Sequence, residues 1–148
     1  MLNIVNKGSG ILLTYGEFKM EVVNRNYGLY QDGYSRVISF VDEVYGEKNI
    51  KAFYAKNLFN ELGNELYFVF EHGLLKITKQ EGFDFVYDYI ASKVINKKLI
   101  TSRYPQSSHE LTVTFDTGEQ IIFHNKEDSD SDWVEEYSKS IIELYKIF

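Results

Sequence analysis

The 148-residue chain has no cysteine and only one proline. Without thiols there is no disulfide, no thiolate nucleophile and no Cys-ligated zinc or iron–sulfur centre. Long apolar runs are also missing, since a membrane helix needs roughly 20 apolar residues. Residues 1–13 carry one charge, Lys7, and their apolar run is only Ile11-Leu12-Leu13. That is too short for the roughly 7–15-residue core of a signal peptide. The expectation is a cytoplasmic protein with no membrane insertion. There is no surplus of positive charge: the formal net charge is −6 and the pI about 5.1, a poor match to nucleic acid. No Gly-x-Ser-x-Gly elbow, P-loop or Gly-x-Gly-x-x-Gly is found; Gly8-Ser9-Gly10 comes nearest, with no strand before it.

What is present supports one folded domain. Apolar residues make up 44% and aromatic residues 16%, enough for a core at this length. Thirteen Lys against three Arg, with 13 Ile and 10 Asn, is the usage of an AT-rich genome, as in a low-GC bacterium or its phage.

Thr14 and Glu17 have capping-box spacing, with Leu13 and Phe18 placed as a hydrophobic staple. This predicts a helix from about Tyr15 to Asn24 that buries Phe18 and Val22, with Val23 at its margin. Asn26-Tyr27-Gly28 breaks it. A second helix starts near Asp32–Ser35 and runs to Tyr45, with Val37, Phe40, Val41, Val44 and Tyr45 on its apolar face and Gly46 as a left-handed cap. The period then changes to two. Ile50–Lys56, Glu65–Glu71, Leu74–Lys79, Phe83–Ile90, Lys93–Ile100, Leu111–Asp116 and Gln120–Asn125 are seven strand candidates, and no helix separates any two. An antiparallel α+β fold follows. The chain closes with a helix over about Asp132–Ile147, whose stripe of Trp133, Tyr137, Ile141, Leu144 and Phe148 must lie on the sheet. Glu135, Glu136, Lys139, Glu143 and Lys146 lie mostly opposite.

Seven antiparallel strands followed by one amphipathic helix, over about Ile50–Phe148, resembles the pleckstrin-homology-like superfold. The resemblance implies a partly open barrel of two bent sheets, capped by the last helix with Trp133 in its mouth. Residues 1–13 then form a flexible lead-in, 14–46 a helical addition, and 49–148 the barrel and its helix, within a single domain. Phosphoinositide-binding members usually carry basic residues around the loop joining the first two strands. Here Asn57–Glu65 contains two glutamates and no base, with Lys51 and Lys56 before it, which argues against inositol phosphates. Other members bind peptides between the fifth strand and the last helix by adding a strand to the sheet edge. That implies a groove lined by Lys93–Ile100 and Trp133–Phe148. The run Ala52-Phe-Tyr-Ala-Lys-Asn-Leu-Phe59, with Phe40–Gly46, is similar to a small uncharacterised family of Bacillus-type bacteria or their phages.

Four constellations bear on chemistry. Lys93, Lys97, Lys98 and Arg103 are four cations within eleven residues, with no acid among them. They read either as a docking site for an acidic partner or as protection of a strand edge against aggregation. Asp84 and Asp88, on the polar side of the adjoining strand, disfavour nucleic acid. Asp128-Ser-Asp-Ser-Asp132 imitates the start of a calcium loop, but Trp133 and Lys139 stand where Gly and Glu are needed, so the acids read as caps of the last helix. His72, His109 and His124 have no metal-ligand spacing, and all three are expected at the surface. Around Asp116-Thr117-Gly118, a three-residue turn with Gly118 left-handed and a G1 bulge puts Val113 opposite Ile121 and Leu111 opposite Phe123, with Glu110 across from His124. A two-residue turn would scatter the apolar residues over both faces.

The sequence therefore favours a non-enzymatic, intracellular interaction module without cofactor or metal. It would bind a protein or peptide partner, acidic by charge matching, at Lys93, Lys97, Lys98 and Arg103. The alternative is a small hydrolase or nucleotide-handling enzyme with a site near His109 and His124.

Overall fold

Thr14 opens the described part of the chain as a helix cap; the structure, a computed structural model, describes residues 14–57, 63–82 and 84–148. The expected lead-in with Leu13, the loop positions 58–62 and Phe83 lie outside the described residues. Thr14 Oγ1 accepts the Glu17 N–H at 3.1 Å and Glu17 Oε1 accepts the Thr14 N–H at 2.9 Å, so both arms of the capping box form. Helix α1 runs Tyr15–Val23 and buries Tyr15, Phe18, Glu21 and Val22. Val23, placed at the buried margin by its sequence, is 68% exposed. It follows Met20 by three residues and shares that residue's solvent face.

A 3-10 turn at Asn26–Gly28, with Arg25, Tyr27 and Gly28 all at positive φ, leads toward α2 (Tyr34–Val44). Gly46 takes the positive φ expected beyond this helix, 84°, and its N–H returns to the Val41 carbonyl at 3.0 Å. Val37 and Val41 are buried as expected, but Val44 is exposed. A second 3-10 turn, Glu47–Asn49, follows.

All seven expected strands form: β1 (Ala52–Lys56), β2 (Glu65–Phe70), β3 (Gly73–Lys79), β4 (Phe85–Ile90), β5 (Val94–Ile100), β6 (Glu110–Phe115) and β7 (Gln120–His124). Among the described residues they make two sheets, ordered β1-β2-β3-β4 and β5-β6-β7, and these do not close into a barrel. The fold is α+β, with two leading helices and a closing helix α3 (Val134–Ile147). By contacts the chain forms two compact units: a helical unit of residues 14–55 and 63–91, and a C-terminal unit whose described residues are 56–57 and 92–148.

Aromatic rings organise the helical unit. Three rungs join α2 and the residue that caps it to β4: Tyr34 on Phe85 (5.0 Å between centroids), Phe40 on Tyr87 (4.1 Å) and the cap, Tyr45, on Tyr89 (5.7 Å). Helix α1 adds Phe18 on Phe53 (5.2 Å) and Tyr15 edge-on to Phe68 (5.2 Å). Such pairs contribute about 0.5–1.5 kcal/mol each beyond their buried area. Strand β2 is buried on both faces from Leu66 to Val69. At the start of β3, a Cβ on Gly73 would collide with the Tyr89 ring, so the glycine leaves room for it. Asp88 pairs across the sheet with Lys76, while Asp84 is exposed just before β4.

In the C-terminal unit the β6–β7 hairpin takes the three-residue register. Leu111 faces Phe123, Val113 faces Ile121 and Glu110 faces His124. Gly118 has φ 91° and the Phe115 N–H reaches the Glu119 carbonyl at 2.9 Å. The apolar set Leu111, Val113, Phe115, Ile121 and Phe123 is buried on one face. Helix α3 covers this three-stranded sheet, not one of seven strands, and buries Trp133, Tyr137, Ile141 and Leu144. Glu136, expected among the outward residues, is buried as well.

Candidate functional site

The cation-rich strand is shaped by a bulge its sequence does not announce. Val94 pairs with Phe115 and Asn96 with Thr114, so Ile95 is the extra residue, 62% exposed. Beyond it Lys97 stands opposite Val113 and Leu99 opposite Leu111, both on the inward phase. Lys98 and Ile100, opposite Thr112 and Glu110, point outward and are exposed. Lys97 is thereby absorbed by the fold: its Nζ donates to the Tyr145 carbonyl in the last turn of α3 at 2.7 Å and lies 4.5 Å from the Tyr145 ring centroid. A cation there also complements the negative end of the helix dipole. Lys93, Lys98 and Arg103 remain exposed, Arg103 with its guanidinium over the Tyr104 ring at 5.5 Å. The four expected residues thus divide into one helix cap and three solvent cations. They lie in a stretch, residues 89–109, that contains no Asp or Glu at all. The chain's net charge is −6, so +4 here leaves −10 on the rest.

The histidines take three different roles. His72 is exposed in the β2–β3 turn. His109, expected at the surface, is 4% exposed. The reason lies in the strand period: His109 continues the inward set of Leu111, Val113 and Phe115. Its Nδ1 donates to the Ser107 carbonyl at 2.9 Å, because a carbonyl can only accept. His124 is half-buried on the opposite phase beside Glu110, and its Nδ1 accepts the backbone N–H groups of Lys126 and Glu127 at 3.1 and 3.2 Å. The two rings therefore face opposite sides of the sheet and do not converge.

Around His109 lies a buried polar cluster that a residue-by-residue reading passes over. Asn125 Oδ1 accepts the His109 N–H at 2.9 Å, and its amide donates to the Ser107 carbonyl at 2.6 Å and to Ser138 Oγ at 2.8 Å. Ser138 in turn donates to the Pro105 carbonyl at 2.6 Å. One signal was available: Asn125 extends the buried phase of Ile121 and Phe123, and a polar residue on an apolar phase implies buried partners. The acid run after β7 is used differently from its expected capping role. The N-cap position of α3 is Trp133, with no side-chain cap bond. Asp128 instead accepts the His124 N–H on Oδ2 at 2.8 Å, with Lys56 Nζ 3.7 Å from Oδ1, and Asp130 Oδ1 accepts the Asp132 N–H at 2.9 Å. Burial, and next to it the charges of Asp128 and Asp130, push the Tyr137 hydroxyl well above its usual range. Among the described residues no group of three His, Asp or Glu side chains is placed to hold a metal ion. No described helix is long and apolar enough to cross a membrane.

No curated protein and no solved structure matches the chain. A family model matches residues 18–139, which takes in the aromatic rungs, the bulged β5 and the buried cluster around Asn125. On that match the chain belongs to the family described as Protein of unknown function (DUF3908).

Proposed function

We propose that the chain is a non-enzymatic interaction module that docks a protein or peptide partner along the open edge of β5. The observation that carries this reading is the edge itself. Among the described strands β5 pairs only with β6, and it presents Ile95, Lys98 and Ile100 to solvent, with exposed Lys93 just before it. Cations beside exposed apolar side chains on an unpaired edge suit an extended peptide, which takes main-chain hydrogen bonds from the edge and specificity from side chains. The order of elements, four strands, then three, then one amphipathic helix, supports a pleckstrin-homology-like ancestry, where strand addition at this position is common. A bacterial or phage source fits the Lys-, Ile- and Asn-rich composition.

The test is backbone amide exchange followed by NMR, with acidic, basic and proline-rich extended peptides added in turn. Slowed exchange along β5 with at least one peptide is expected. Protection elsewhere only, or nowhere, overturns the docking reading.

A further inference from the structure

The β5–β6 loop is held more firmly than a connection needs. Ser102 Oγ donates to the Ser108 carbonyl at 2.7 Å and the Ser107 N–H to the Tyr104 carbonyl at 3.0 Å. From outside the loop, Ser138 holds the Pro105 carbonyl and Asn125 the Ser107 carbonyl, both at 2.6 Å. Yet the side chains at the tip make little of this. Arg103, Tyr104, Pro105 and Gln106 are exposed, Tyr104 by 52%. A buried polar lock beneath an exposed Arg–Tyr pair is a preorganised contact: the ordering cost is met in folding, and Arg and Tyr are the anchor types that dominate interfaces.

We infer that the 101–109 loop is the specificity element of the docking edge, with Arg103 and Tyr104 gripping a carboxylate-rich, extended segment of the partner. The inference rests on the proposed docking function and adds the partner's chemistry. Charge complementarity selects an acidic segment: the loop closes the 21-residue stretch without Asp or Glu, in a chain otherwise strongly acidic. Arg103 offers a planar fork matched to carboxylates, and Lys98 lies on the outward face of the strand leading into the loop. The Arg103 guanidinium is already positioned over the Tyr104 ring.

The test uses fluorescence anisotropy with a short labelled peptide of alternating glutamate and valine, and its lysine–valine counterpart as control. The full chain is expected to bind the glutamate peptide, more weakly as salt rises, and not the lysine peptide. Arg103→Ala and Tyr104→Ala should each weaken binding by about tenfold or more, with Arg103→Lys recovering part of the loss. Thermal melting should stay unchanged, since both side chains are exposed; Lys126→Ser, off the loop, should bind normally. Absence of glutamate-peptide binding, equal binding of the lysine peptide, or full binding by Arg103→Ala overturns the inference. If β5 is still protected by some peptide in the exchange experiment, the docking function stands without it.

Discussion

The two units solve the same problem, covering a sheet with helix, by different means. In the helical unit the filling is rings: the α2–β4 rungs and the Tyr15, Phe18, Phe53 and Phe68 group. Of the eight buried polar or charged residues described, only Glu21 belongs to it, while Asn57, His109, Asn125, Asp128, Ser129, Glu136 and Ser138 belong to the C-terminal unit. Ring packing is set by volume and is forgiving of shape. A buried hydrogen-bond network is set by direction, and one missing member strands the others. The C-terminal unit therefore gives up tolerance for positional accuracy, and it is the unit that carries the cationic edge and the Arg103–Tyr104 tip.

That contrast can be broken by four measurements. The largest effects come from a pair of substitutions in each unit, followed by urea unfolding. Phe68→Ala should cost about 3–5 kcal/mol, and Phe68→Leu much less, since large apolar swaps are partly absorbed. Asn125→Ala should cost about 1–3 kcal/mol by stranding the buried His109 N–H and taking one bond each from the Ser107 carbonyl and Ser138 Oγ, and Asn125→Leu should cost no less. Equal relief from leucine at both positions would erase the distinction.

Next in size, Gly73→Ala drives a methyl group into the Tyr89 ring, with about 1–3 kcal/mol of overpacking expected. The companion change Tyr89→Ala should restore tolerance at position 73, and a double-mutant cycle measures that coupling. Smaller still, Thr14→Ala removes one arm of the capping box at about 1 kcal/mol, read as a lowered melting temperature.

The smallest change at neutral pH is Tyr34→Phe. The Tyr34 hydroxyl is buried, and burial pushes it from the usual 10.0 up to about 12. An acid whose folded value is raised holds its proton longer when folded, so its stabilising share is intact below pH 10.0 and is lost as pH rises toward about 12. Tyr34→Phe should leave neutral stability nearly unchanged and make the alkaline decline shallower. A decline of identical slope in the variant would assign the alkaline sensitivity elsewhere, with burial-raised Tyr15 and Tyr137 the next residues to replace.

Local rules carried much of this fold into view. Thr14 and Glu17 announce the first helix through two reciprocal bonds that depend on spacing alone. The β6–β7 register follows from Gly118 and from the single face that Leu111, Val113, Ile121 and Phe123 must share. What stayed hidden depends on residues distant along the chain. The division into two sheets leaves no mark on strand periodicity, because each strand alternates the same way in either arrangement. Asn125, Ser107 and Ser138 meet only once β7, the loop and α3 are assembled. Lys97 belongs with the exposed cations by composition and with the helix end by geometry. The candidate edge, Arg103 included, was legible as a charge pattern; Tyr104, proposed as its companion, was not, since an exposed tyrosine looks alike whether its backbone is pinned or loose.

The bulge at Ile95 makes the identity of the edge a question of parity. Val94 is on the inner phase, so an unbulged strand would send Asn96, Lys98 and Ile100 inward and turn Lys97 and Leu99 out. One inserted residue reverses every assignment downstream of it. A ladder that took in Ile95 as an ordinary paired residue would thus rewrite the edge without altering a letter: the helix end would lose its lysine, Leu99 would meet water, and the outward charge would move one place along the strand. The surface offered to a partner is written in the count of residues as much as in their kinds.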